Sequence, residues 1–136
     1  GTYSADYDAL CSAYRERENV HILRTVEKLK EYMESCDVAV TAGGSTLYEL
    51  CAVGTPAISY SFADNQLPNV RTLDELGIVP YAGDFRDADV VDRIAAELQK
   101  MRDRTIRRQL SEKMQRLVDG RGAGRLASYF ASLQNR

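Results

Sequence analysis

The 136-residue chain is 44% hydrophobic and 28% charged with a net charge of −2, the balance of one ordinary soluble domain rather than of a disordered segment. Its uncharged stretches are too short and too broken by Gly, Ser and Thr to span a bilayer, and it opens without a basic-plus-apolar signal. Cys11, Cys36 and Cys51 are odd in number and lack metal-ligand spacing, so we expect reduced thiols, a cytoplasmic location, and no metal or cofactor.

Charge is unevenly placed. Residues 1–100 hold 9 Lys and Arg against 17 Asp and Glu, whereas residues 101–136 hold 9 against 3. Acids interrupt the basic tail and no aromatic residues interleave with it, which argues against a nucleic-acid partner and for docking on the acidic body.

In chain order, residues 3–14 read as a helix, with Ser4 or Asp6 as cap and Tyr7, Leu10, Cys11 and Tyr14 at helical spacing. Val20–Leu23 reads as a strand, and its lone His21 is a structural residue rather than a base. Thr25 is positioned to cap a second amphipathic helix carrying Val26, Leu29, Tyr32 and Met33 and ending near Cys36. Val38–Val40 is a buried-type strand, Gly43-Gly44 a turn, and Ser45 or Thr46 the start of a helix that closes at Gly54. Pro56–Tyr60 is the next strand, Ser61–Asn65 a loop, Gln66–Leu76 a helix closed by Gly77, and Ile78–Tyr81 a last short strand. Amphipathic helices follow over 87–100, 106–117 and 126–133, with the glycine-rich stretch 119–124 before the last. Strands alternating with helices of about ten residues predict an α/β fold, a parallel sheet with helices on both faces. Ligands of such sheets bind beyond the carboxyl ends of the strands, where residues 41–46, 61–66 and 24–25 should converge.

The stretch 37–53 carries the chemistry. A glycine turn followed by Ser45 and Thr46 presents helix N–H groups that lack intrahelical partners, a natural seat for phosphate. Glu49 lies roughly 6 Å further along the axis on nearly the same face, an offset at which a carboxylate can accept both hydroxyls of a ribose. The plainer reading is a strand, turn and helix whose glutamate merely favours the helix N-terminus. Asn65 and Gln66 supply neutral donors and acceptors suited to sugar hydroxyls, an acetamido group or a phosphate oxygen, although Asp64 or Asn65 could equally be a simple helix cap.

Taken together, Ala42-Gly43-Gly44-Ser45-Thr46, Glu49, Gly54-Thr55-Pro56 and Asn65-Gln66 resemble the C-terminal half of nucleotide-sugar enzymes with two Rossmann-like domains, the GT-B architecture. The pattern is similar to the spore-coat polysaccharide protein SpsG and to the UDP-sugar hydrolase of pseudaminic acid synthesis, and more distantly to the peptidoglycan N-acetylglucosaminyltransferase. The resemblance implies a UDP-sugar with its diphosphate at Gly43, Gly44, Ser45 and Thr46, its ribose on Glu49, its sugar or β-phosphate near Asn65 and Gln66, and its base near residues 23–26, including Thr25. It implies a partial Rossmann-like nucleotide-sugar-binding domain over 1–118, a C-terminal helix over 119–136 packing on it, and N-terminal elements of the domain missing. The expected function is the donor-binding portion of a UDP-sugar hydrolase or glycosyltransferase of cell-surface polysaccharide biosynthesis, inactive without an opposite domain. A non-catalytic subunit that completes an active site with a separate chain is the alternative. A Rossmann dehydrogenase fits poorly, because Gly43-Gly44 lacks a spaced third glycine and no acid ends the strand 57–60.

Overall fold

A computed structural model describes residues 6–134. Helices α1 (Tyr7–Ala13) and α2 (Leu29–Ser35) precede β1 (Ala39–Ala42), α3 (Thr46–Val53) and β2 (Ala57–Ser61). A 3-10 turn (Asp64–Gln66) leads into α4 (Leu67–Glu75), followed by β3 (Tyr81–Asp84), α5 (Val90–Lys100), α6 (Arg104–Leu117) and α7 (Gly122–Gln134). The strands form one parallel sheet in the order β1-β2-β3, with Ala39 opposite Ala57 and Ser59 opposite Tyr81.

Alternation along β2 sends successive side chains to opposite faces, and each face is covered. Ala57 joins Leu47, Leu50 and Cys51 of α3, Val70 and Leu73 of α4, Met33 of α2 and Met114 of α6 in one core. Ile58 faces the other way, toward Ala82 and Met101, with Ile94 of α5 and Leu110 of α6 packed against them. The expected α/β sheet with helices on both faces is therefore present. Burial raises the Cys51 thiol to about 11, whereas Cys36 is exposed.

The turn between α3 and β2 follows from its residues. Gly54 adopts a left-handed conformation at φ 86°, which costs a residue with a Cβ, and its N–H closes the helix on the Leu50 carbonyl at 2.8 Å. Thr55 Oγ1 then donates to the Met33 carbonyl at 2.7 Å, tying this turn to α2, and the Pro56 carbonyl accepts the Ala39 N–H at 2.8 Å.

Several elements depart from the sequence reading. Residues 20–23 form no strand: Leu23 is 51% exposed, and no strand lies beside this segment among the described residues to complete a ladder. Thr25 caps nothing, because α2 begins at Leu29 with Lys28 before it and no side-chain cap. Helix α1 starts at Tyr7, Asp6 makes no capping bond, and Tyr3 and Ser4 lie outside the described residues.

The last strand is displaced by three residues. The N–H groups of Ile78 and Val79 both go to the Leu73 carbonyl and finish α4, so bonding to β2 starts only with the Pro80 carbonyl, which accepts the Ser59 N–H at 2.8 Å, and the paired residues run from Tyr81. The register then slips between Tyr81 and Asp84, where Gly83 takes φ 119°. Asp103 caps α6 by accepting the Thr105 N–H at 2.7 Å, and within that helix Arg107 reaches Asp37 at 3.4 Å. Residues 119–133 are all exposed, with Leu126, Tyr129 and Phe130 of α7 open to solvent.

Candidate functional site

The loop from β1 into α3 lies at the carboxyl end of the sheet. The Gly43 N–H continues the ladder to the Tyr60 carbonyl at 3.0 Å, and the Gly44 N–H turns back to the Ala42 carbonyl at 2.8 Å. The next two amides, of Ser45 and Thr46, donate to no group among the described residues, and regular pairing resumes with Leu47 to Gly44 at 3.1 Å. Two adjacent unpaired N–H groups at the positive end of α3 form a geometry that favours an anion. Ser45 stands at the N-cap position in helical conformation without a side-chain cap, which leaves its exposed hydroxyl unengaged; Thr46 is half-buried.

Of the paired glycines, Gly43 is present for packing more than for backbone conformation. Neither has a positive φ, but a Cβ on Gly43 would lie 2.3 Å from Val70 Cγ1 and 3.3 Å from Gln66 Cβ. Gly43 thus lets α4 and the 3-10 turn press against the β1–α3 loop. A Cβ on Gly44 would meet Gln66 Nε2 at 3.9 Å, an ordinary contact. The structure therefore brings Gly43, Gly44 and Gln66 together, with the Gln66 side-chain oxygen accepting the Phe62 N–H at 2.9 Å and its amide nitrogen left toward the glycines.

Asn69 closes the same junction, although the sequence reading passed over it. Its Nδ2 donates to the Gly43 carbonyl at 3.4 Å and its Oδ1 accepts from the Tyr48 hydroxyl, linking α4 to the glycine turn and to the first turn of α3. A polar residue one position before buried Val70 was the available signal. Asn65 is exposed to solvent beside Gln66.

Glu49 is exposed one turn into α3, its N–H on the Ser45 carbonyl at 3.3 Å. It lines a hollow of about 540 Å³ with Lys30, Met33 and Glu34 of α2, Ala52 and Val53 of α3, and Gln115 of α6. Glu49 thus borders a hollow between α2, α3 and α6. Thr25 lies exposed in the segment before α2, and no hydrogen bond among the described residues joins it to Glu49 or to the glycine turn.

A second polar cluster gathers at the carboxyl ends of β2 and β3, next to the 3-10 turn. Buried Ser61 donates to Asp84 Oδ2 at 2.7 Å and lies 2.8 Å from the Tyr81 hydroxyl. Arg86 grips Asp84 through Nε at 2.5 Å and Nη2 at 3.0 Å, and the same Nη2 reaches Asp64 at 2.6 Å. The Arg86 guanidinium, aided by the Ser61 hydroxyl, holds the Asp84 carboxyl well below the usual carboxylate range. These partners are more than twenty residues apart in pairs such as Ser61 and Asp84, a separation that no local sequence pattern encodes.

The profile of the glycosyltransferase family 28 C-terminal domain matches residues 3–121. The chain belongs to that family. It is also similar, at 35% identity over 63 residues, to a Helicobacter pylori protein described as pseudaminic acid cytidylyltransferase and UDP-2,4-diacetamido-2,4,6-trideoxy-beta-L-altropyranose hydrolase. That match covers 45% of this chain and 12% of the relative's length. No solved structure matches the chain. The GT-B-type, Rossmann-like assignment made from the motifs is borne out by the family match and by the parallel sheet. No helix among the described residues is long and apolar enough to cross a membrane.

Proposed function

We propose that this family 28 domain binds the donor of a UDP-sugar hydrolase or glycosyltransferase of cell-surface polysaccharide biosynthesis, with the diphosphate on the Ser45 and Thr46 amides. The observation that carries this reading is the pair of unpaired N–H groups opening α3, set against Gln66 across Gly43 and Gly44. In that arrangement the helix N-terminus stabilises the diphosphate as a leaving group, because its dipoles already point at the charge that develops. Asn65 and Gln66 then face the sugar, Glu49 takes the ribose, and the base extends toward residues 23–26 and Thr25. The relative's printed diacetamido sugar supports an acetamido sugar on the donor.

The residues of this site bind and orient; none of them is assigned as the base that activates a water or acceptor. A second reading, a binding subunit completing an active site with another chain, is supported by β1, which has β2 on one side and no strand on the other among the described residues, with Val40 44% exposed. Titration calorimetry with UDP and UDP-N-acetylglucosamine tests the donor reading. Heat with saturation at one nucleotide per chain supports it, and heat from neither ligand rejects it. Sugar release from UDP-N-acetylglucosamine by the chain alone would contradict the division of labour in both readings.

A further inference from the structure

The loop 62–66 that carries Asn65 and Gln66 is held to the segment after β3 by two independent contacts. Phe62 and Phe85 stack with ring centroids 4.6 Å apart, and Arg86 spans from Asp84 to Asp64. Asp84 is the fixed end: its side chain is 14% exposed, it accepts from buried Ser61, and it takes two prongs of the guanidinium. Asp64 is the free end, 79% exposed and immediately before Asn65. An ion pair this exposed adds little to global stability, so the consequence of the Arg86–Asp64 bond is local.

Resting on the donor reading above, we propose that Arg86, anchored by Asp84, is a positioning residue that sets loop 62–66 so that Asn65 and Gln66 meet the sugar of the bound nucleotide. The planar fork is suited to this, since Nε and Nη2 are committed to Asp84 while Nη2 also reaches outward to Asp64. A lysine keeps the charge but has no second prong. The Gln66 side chain depends on the same loop, because its oxygen accepts the N–H of Phe62, the residue stacked on Phe85.

The test compares Arg86→Gln and Arg86→Lys with the unaltered chain, reading affinity for UDP and for UDP-N-acetylglucosamine, amide hydrogen exchange at Gln66 and at amides remote from the loop, and the thermal midpoint. For Arg86→Gln, affinity for the UDP-sugar should fall about three- to tenfold, the size of one or two lost hydrogen bonds, while UDP affinity stays within about twofold. Exchange at Gln66, whose N–H donates to the Ala63 carbonyl, should quicken more than exchange at amides remote from the loop, which separates loop ordering from the global stability lost when Asp84 loses its partner, and Arg86→Lys should fall between the two. Equal losses for both ligands, or unchanged sugar affinity, would overturn the assignment. If the unaltered chain binds neither ligand, the donor reading fails and takes the sugar-facing role with it. Quickened exchange in Arg86→Gln would still uphold Arg86 as the residue that orders the loop, and unchanged exchange would overturn that too.

Discussion

A Cβ on Gly43 would lie 2.3 Å from Val70 Cγ1, so the glycine turn and helix α4 are in contact at a distance that no side chain at position 43 permits. Val70 is fully buried in the main core, which leaves it little room to retreat.

Gly43→Ala should therefore destabilise the fold by about 1–3 kcal/mol, the usual cost of forcing a methyl into a packed site. Urea denaturation of Gly43→Ala, Val70→Ala and the double variant reads this directly. The double variant should lose less than the two single losses combined, because the smaller residue 70 admits the added methyl. Strict additivity would show that the contact does not limit residue 43.

Glu49→Ala should weaken UDP about ten- to a hundredfold, the range of hydrogen bonds to a charged group, and weaken 2′-deoxy-UDP much less. Competition binding with the two nucleotides measures the difference. Equal losses would remove the 2′-hydroxyl contact from Glu49 and leave the carboxylate to its hollow beside Lys30 and Glu34.

Much of this was legible in the residues because the decisive signals are local. Gly54-Thr55-Pro56 marks the end of α3 and the start of β2, and Gly43-Gly44 followed by Ser45-Thr46 marks the start of α3. The misread segments fail for a shared reason: an apolar pattern reports burial but not pairing. Val20–Leu23 has the pattern of a strand without a partner, and Ile78 and Val79 are buried while giving their N–H groups to α4. The Ser61, Asp84 and Arg86 cluster was invisible because it is assembled across strands. Gly43 was legible as a turn, but its close approach to Val70 of α4 was not, because the two are brought together only by the fold.

Acid should reveal the Asp84 cluster. Its carboxyl titrates below the usual range in the folded state, chiefly through Arg86, so the unfolded chain binds the proton more readily. The stabilisation is present above the unfolded carboxylate value of about 3.9 and is lost as pH falls below it toward the folded value. Urea midpoints of the unaltered chain and Asp84→Asn should differ at pH 7 in favour of the former, and the difference should shrink progressively as pH falls below about 3.9. A gap that stays constant with pH would mean that the carboxylate's charge is irrelevant to its role.

The central claim is that two backbone amides at the start of α3 receive a diphosphate, and a nitrogen–proton correlation spectrum followed during titration tests it most directly. UDP should move the Ser45 and Thr46 amide resonances in a saturable way, while uridine, which lacks the phosphates, should leave them in place. Saturating UDP that leaves both resonances unmoved, or moves only resonances remote from residues 43–49 and 65–66, would contradict the account.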